Sequence, residues 1–315
     1  MATMLMTHGV SIAVVNSVVN ALCDPLRKYL TRFLDPFALV AARGLVQAPL
    51  FCLWALVDSY SKPAGPPPLN HLFWTSVAIS GAINIGTSYL YNRSIQISSL
   101  AATVPFLSFT PAFLVVVAFL LLGEVPTAPG VLGISIAMLG GFWLQGVRDD
   151  AATAKNADDL PLNAANASKG SMYMVLVAFL WSISNAFDKI GVQNSSPLVY
   201  GAAIQVIVAS GSFVLHKLRV GSEEQLQLPL SGVPRPQVPW RFVVLAGVTS
   251  VVSYYINLLA TQRLEVSYVI AIKRSGCIWS VLLGRLFFRE RNLRKKIPSI
   301  LLMVLGVVCI VLGRD

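Results

Sequence analysis

Long apolar stretches separated by short polar breaks run through the chain from end to end. Ten can be marked, at about 8–23, 37–57, 72–91, 97–122, 128–147, 170–190, 197–216, 240–260, 266–288 and 297–313. Each approaches the roughly 17–25 residues that a helix needs to cross a bilayer. Helices are the economical choice in lipid, which offers no partner to an open backbone N–H or C=O. The first stretch is the shortest, stopped by Asp24-Pro25, and it reaches Leu30 if the helix continues through the proline with a kink.

Arg148 to Lys169, between the fifth and sixth stretches, is dominated by Ala, Asp and Asn and has no apolar period, which predicts a flexible linker. The chain then divides into a five-helix repeat over 1–147, a linker over 148–169 and a second five-helix repeat over 170–315. Lys217 to Pro239, with Pro234, Pro236 and Pro239, and Gly65-Pro66-Pro67-Pro68 predict further irregular connections. A shift of 166 residues aligns Leu122-Gly123-Glu124 with Phe288-Arg289-Glu290, Tyr89 with Tyr255, Gln96 with Gln262 and Gly140 with Gly306. A shift of 161 aligns Lys28 with Lys189 and Pro36 with Pro197. Copies with an odd number of spans insert in opposite orientations, and inverted repeats with a site near the midplane are a recurring transporter architecture. The fold class expected is therefore all-α integral membrane, with ten transmembrane helices as two inverted five-helix repeats.

Composition agrees with this reading. The 315 residues are 55% hydrophobic and only 12% charged, where soluble domains carry about 25% charged residues. The net charge of +10 is concentrated in loops, without a basic face interleaved with aromatics, so nucleic acid is not an expected partner. Basic loops instead set topology and meet anionic lipid head groups. The more basic side carries Arg27, Lys28, Arg32, Arg148, Lys217 and the run Arg289 to Lys296, which places it in the cytosol and both termini outside or in a lumen. Met1 to Thr7 lacks the basic start of a signal peptide, so the first stretch is read as a retained span. Cys23, Cys52, Cys277 and Cys309 show neither CxxC nor His/Cys spacing, and no metal or cofactor is expected.

Against this background Lys273-Arg274 stands out, about seven residues inside an apolar run, roughly 10 Å at the helical rise. Ionisable residues in a span usually face a cavity, partner or pathway. Two adjacent residues point about 100° apart, which makes snorkelling of both cations to the interface hard. Asn84, Ser88 and Tyr91 share one face of the third helix at i, i+4, i+7, and Ser250, Tyr254 and Asn257 are their repeat equivalents in the eighth. Trp181, Asn185 and Asp188 have the same spacing in the sixth. These faces point inward, lining a cavity or bonding helices together. Asp188 reads either as a counter-ion of Lys273 and Arg274 when substrate is absent or, with Lys189, as interfacial; Arg43 reads as structural or interfacial, and Glu124 and Glu290 as loop fasteners. The small-residue series Gly133-Ala137-Gly141 and Gly276-Ser280-Gly284 predict close helix packing.

Two repeats of five helices, Ala101-Ala102-Thr103-Val104-Pro105 leading to Gly123-Glu124 and the Gly-rich helix through Gly140-Gly141, the equivalent Val266 to Gly313, and Arg43 seven residues after Pro36 resemble the EamA-like branch of the drug/metabolite transporter superfamily. The resemblance covers nearly the whole chain. It implies the ten-helix fold and metabolite transport without naming a substrate. Lys273-Arg274 is also similar to the Lys-Arg pair that phosphate translocators hold on the substrate phosphate, although no basic residue stands near Thr103, where that branch carries one.

The function expected is a secondary transporter that moves a small polar, anionic or zwitterionic metabolite by alternating access. Its substrate-binding residues would be Lys273, Arg274, Asn84, Ser88, Tyr91, Tyr254, Asn257, Trp181 and Asn185. With no central carboxylate in view, exchange by an antiporter or facilitated diffusion fits better than proton coupling. Export of amino acids or other small metabolites is the alternative within transport, and a membrane scaffold or enzyme the alternative outside it. No catalytic set is found. The expected partners are a small-molecule metabolite, the lipid bilayer and a second copy of the chain in a homodimer.

Overall fold

A computed structural model describes residues 2–61, 67–98, 103–146, 164–224, 238–276, 279 and 293–312, and their regular structure is helical throughout. The first half comprises α1 (Ala2–Leu30), α2 (Pro36–Ser61), α3 (His71–Ile97), α4 (Thr110–Leu122), entered through a 3₁₀ turn at Val104–Phe109, and α5 (Ala128–Gly146). The second comprises α6 (Ala164–Gln193), α7 (Pro197–Glu224), α8 (Trp240–Arg263), α9 (Val266–Arg274) and α10 (Leu293–Leu312). Five helical stretches are long and apolar enough to cross a bilayer: Gly9–Leu30, Pro36–Ser61, Ser168–Gln193, Pro197–Arg219 and Trp240–Arg263. Three shorter apolar helices lie at Phe106–Leu122, Ala128–Trp143 and Ile297–Leu312.

Several boundaries differ from those read along the chain. Of the two ends read for α1, the longer holds, since the helix continues through Pro25 to Leu30. The fourth apolar stretch is broken, because α3 ends at Ile97 and the 3₁₀ turn precedes α4. α6 starts at Ala164 and α7 runs to Glu224, so polar composition alone placed both ends too close to the core. Glu290, Ser280, Gly284 and the Arg289–Lys296 loop, apart from the α10 backbone from Leu293, lie outside the described residues.

The helices pair in a pattern that survives exchange of the halves. α3 packs on α6 as α1 packs on α8, α4 packs on α6 as α1 packs on α9, and α2·α7, α4·α9 and α5·α10 are their own images. Small residues let the last pair come close. A Cβ on Gly133 would sit 2.6 Å from the Gly306 carbonyl oxygen, and one on Gly306 would sit 2.5 Å from the Ala137 nitrogen. The surface is apolar, with Leu45, Leu53, Leu120, Leu132 and Leu301 exposed, while Asn16, Ser80, Thr87, Ser182 and Thr261 are fully buried. That inversion of the soluble pattern suits a chain solvated by lipid.

Glu124 shows why a Gly-Glu pair closes α4. Gly123 takes the left-handed conformation (φ 68°) that ends a helix, where a Cβ would be strained. The next residue then reaches the second half, where Glu124 Oε2 accepts the backbone N–H of Val266 at the start of α9 (3.0 Å) and Oε1 accepts Lys189 Nζ. Lys189 Nζ also donates to the Leu264 carbonyl at the end of α8 (2.7 Å). In the first half Lys28 Nζ donates to Ile95 O and to Ser98 O (3.0 Å) at the end of α3. These contacts repeat the sequence offsets, 161 from Lys28 to Lys189 and 166 from Ser98 to Leu264.

Candidate functional site

Helices of both halves enclose a cavity of about 170 Å³. That is the scale of a small metabolite, since pockets for drug-sized ligands run about 300–1,000 Å³. Every residue selected from the sequence as substrate-binding lines it: Asn84, Ser88 and Tyr91 on α3, Trp181 and Asn185 on α6, Tyr254 and Asn257 on α8, and Lys273 and Arg274 on α9. The i, i+4, i+7 stripes thus converge from opposite sides of one space. Both cations turn into it, so neither snorkels outward.

The offset of 161 uncovers a stripe that sequence reasoning missed. Trp181, Asn185 and Asp188 on α6 correspond to Asn20, Asp24 and Arg27 on α1, and all six line the cavity. The α1 stripe spans Pro25, so it exists only on the longer of the two readings of α1. Arg43 on α2 is also a wall residue, 9% exposed, with Nη2 donating to Ser250 Oγ across the halves (2.9 Å). Asp188 is buried as well, 3% exposed near the end of α6, while neighbouring Lys189 is held by Glu124 and Leu264. The expectation that no carboxylate lies at the centre is therefore corrected, since Asp24 and Asp188 both face the cavity.

Four flat groups form a ladder along one wall. The rings of Tyr91 and Trp181 stack at 5.6 Å, with Arg27 5.5 Å over Tyr91 and Arg274 5.6 Å over Trp181. Cation–π contact at such distances contributes about 0.5–2 kcal/mol, more where water is excluded. Bonds at the edges lock the ladder. Tyr91 donates its hydroxyl to Asp24 Oδ1 (2.8 Å), which lies 3.6 Å from Arg27 Nη1, Trp181 Nε1 donates to Thr87 Oγ1 (3.0 Å), and Arg274 Nη2 donates to Thr110 Oγ1 (3.1 Å).

The remaining amides are mostly held by protein. Asn84 donates to Ser184 Oγ (2.7 Å), Asn185 to the Trp181 carbonyl (2.6 Å), and Asn257 accepts from Asn16 (3.1 Å). Arg43 Nε, Gln47 Nε2 and Asn92 Oδ1 are buried wall atoms with no hydrogen-bond partner among the described residues. Buried polar atoms of that kind call for a ligand or ordered water. The Lys273 ammonium makes no hydrogen bond among the described residues and stays available as a point charge. Counting wall residues, Arg27, Arg43, Lys273 and Arg274 oppose Asp24 and Asp188. Among the described residues no group of His, Cys, Asp or Glu could hold a metal ion.

The whole chain has counterparts. A crystal structure described only as that of a protein superposes with a TM-score of 0.72 over 98% of this chain and 99% of its own, at 16% identity, which speaks to the fold alone. No match to a curated protein was found. The sequence model of the EamA-like transporter family matches twice, over residues 7–145 and 168–312. Those two matches take in the two sets of cavity-lining helices, and on them the chain belongs to the EamA-like transporter family, a multi-pass integral membrane transporter built of two repeats.

Proposed function

We propose that the chain is a ten-span secondary carrier that moves a small anionic or zwitterionic metabolite by alternating access, with the cavity between oppositely inserted repeats as its substrate site. The observation that carries this reading is the wall of that cavity, where four cations from α1, α2 and α9 stand against two carboxylates. Arg274, held over the Trp181 ring, offers a guanidinium fork to a carboxylate or phosphate, and Lys273 adds a point charge beside it. The Asn and Tyr faces orient the rest of the molecule. The presence of both signs favours a zwitterion, so amino acids belong in the first substrates tried.

The test is uptake into proteoliposomes of a radiolabelled panel containing dicarboxylates, sugar phosphates, neutral amino acids and lipophilic organic cations. Saturable uptake confined to the anions or zwitterions is the expected result. Uptake confined to the organic cations would overturn the proposal.

A further inference from the structure

We propose that Asp188 is a proton-exchange site opening on the cavity, loaded and unloaded as the carrier changes face. This rests on the carrier reading above and adds a second ligand, the proton, at a place apart from Lys273 and Arg274. Asp188 sits near the end of α6 in a cradle of three hydroxyls, each from a different helix. Ser80 of α3 and Tyr200 of α7 (2.9 Å) donate to Oδ1, and Tyr254 of α8 stands 3.4 Å from Oδ2. Ser80 is fixed in turn by Ser184 (2.9 Å) and Asn84 (3.1 Å).

No cation lies within ion-pair distance of Asp188 among the described residues. On its own helix Lys189 is committed to Glu124 and the Leu264 carbonyl. The charged and titratable groups on neighbouring walls are Arg27, Asp24 and Tyr91, Arg43, and Lys273 with Arg274. A buried carboxylate without a cationic partner carries a large desolvation cost when ionised, and such residues in spans mark proton relays. Oδ2, with its single longer contact to the cavity-lining Tyr254, is the oxygen placed to gain and lose an O–H bond. Protonation forms that bond from a cavity proton, release breaks it, and no electrons or further reactants are involved.

The repeat shows that the cradle is not a requirement of the fold. At the same offsets the first half carries Arg27 for Asp188, Leu39 for Tyr200, Ala246 stands opposite Ser80, and Ser88 opposite Tyr254. The scaffold closes at that place with an arginine instead of the carboxylate and with only one of the three hydroxyls, that of Ser88, so the full cradle in one half calls for a chemical reason.

Infrared difference spectroscopy of the full chain in liposomes, titrated from mildly alkaline to mildly acidic pH, reads the proton directly. The wild type should gain a carboxylic-acid C=O band that is lost in Asp188→Asn and displaced in Asp188→Glu, with thermal melting confirming that each variant is folded. A titrating band that is the same in all three proteins, or no titrating band in the wild type, would overturn the proposal. The band needs no transported metabolite, so failure of the uptake panel and failure of this site are told apart.

Discussion

In the first half, Lys28 of α1 is tied to the carbonyls of Ile95 and Ser98 that end α3; in the second, Lys189 of α6 is tied to the Leu264 carbonyl that ends α8. One residue earlier the halves part company, with Arg27 in one and Asp188 in the other. The same split recurs where Leu107 and Ser108 stand in the places of Lys273 and Arg274. Positions that fasten one helix of a repeat to another are shared, and positions that face the cavity have diverged. A symmetric scaffold thus encloses an asymmetric space, with cations gathered on α1, α2 and α9 and the hydroxyl-cradled Asp188 standing apart on α6. In the carrier proposed above, duplicated halves would give the two interfaces on which alternating access relies, and the divergence of their inner faces would leave one oriented binding site.

Substitutions of the two kinds should separate cleanly. The largest effect is expected at the fasteners. Lys189 and Glu124 form an ion pair with side chains 10% and 12% exposed, so Lys189→Met strands a buried carboxylate at a cost of about 3–5 kcal/mol. Denaturant titration should show that loss, and a smaller loss in the Lys189→Met, Glu124→Gln double variant, whose carboxylate charge is gone. Lys28→Met should likewise lower stability, and any of these variants that remains folded should keep its metabolite affinity. A fastener variant that stays stable but loses affinity would erase the distinction.

Next comes Arg274→Ala, expected to weaken binding of the panel's best metabolite by about a hundredfold, or about 2.8 kcal/mol at about 1.4 kcal/mol per decade, a typical penalty for unpairing a desolvated ligand charge. Arg274→Lys should recover little of it, because the fork is lost. The mirror substitution Ser108→Ala should leave affinity unchanged. Equal effects at the two positions would mean that the cavity is as symmetric as the scaffold.

What could be read from the chain follows the same division. Stripes at i, i+4, i+7 were visible on α3, α6 and α8 because one helical face is a local property. Lys273-Arg274 was visible because charge in an apolar run is conspicuous. The cavity-facing places of Arg43 and Asp188 were not legible in the chain, because their burial depends on partners far along it, Ser250 for one and Ser80, Tyr200 and Tyr254 for the other. The α1 stripe was within reach, since the offset that aligns Lys28 with Lys189 also aligns Asn20, Asp24 and Arg27 with Trp181, Asn185 and Asp188. Glu124 was recognised as a fastener, but its capping of α9 joins residues that only the folded chain brings together.

Two smaller effects complete the series. Gly306→Val overfills the α5–α10 contact and should lower stability by about 1–3 kcal/mol with affinity unchanged, since that contact lies outside the cavity wall. Tyr91→Phe removes the bond to Asp24 but keeps the ring between Arg27 and Trp181, and should weaken binding by no more than about tenfold, in line with about 0.5–1.5 kcal/mol for one hydrogen bond.

The most direct measurement uses a mirror pair. Ser88 on α3 and Tyr254 on α8 occupy equivalent places in the two repeats and face the same cavity. Each is replaced singly by cysteine in a chain whose native cysteines have been changed to serine, and a membrane-impermeant thiol reagent is added to one side or the other of oriented proteoliposomes. A cavity between the halves that serves as the transport route predicts that both cysteines react from either side, and that a transported metabolite slows both reactions. Reaction from one side only at both positions, or no reaction at either, would contradict it.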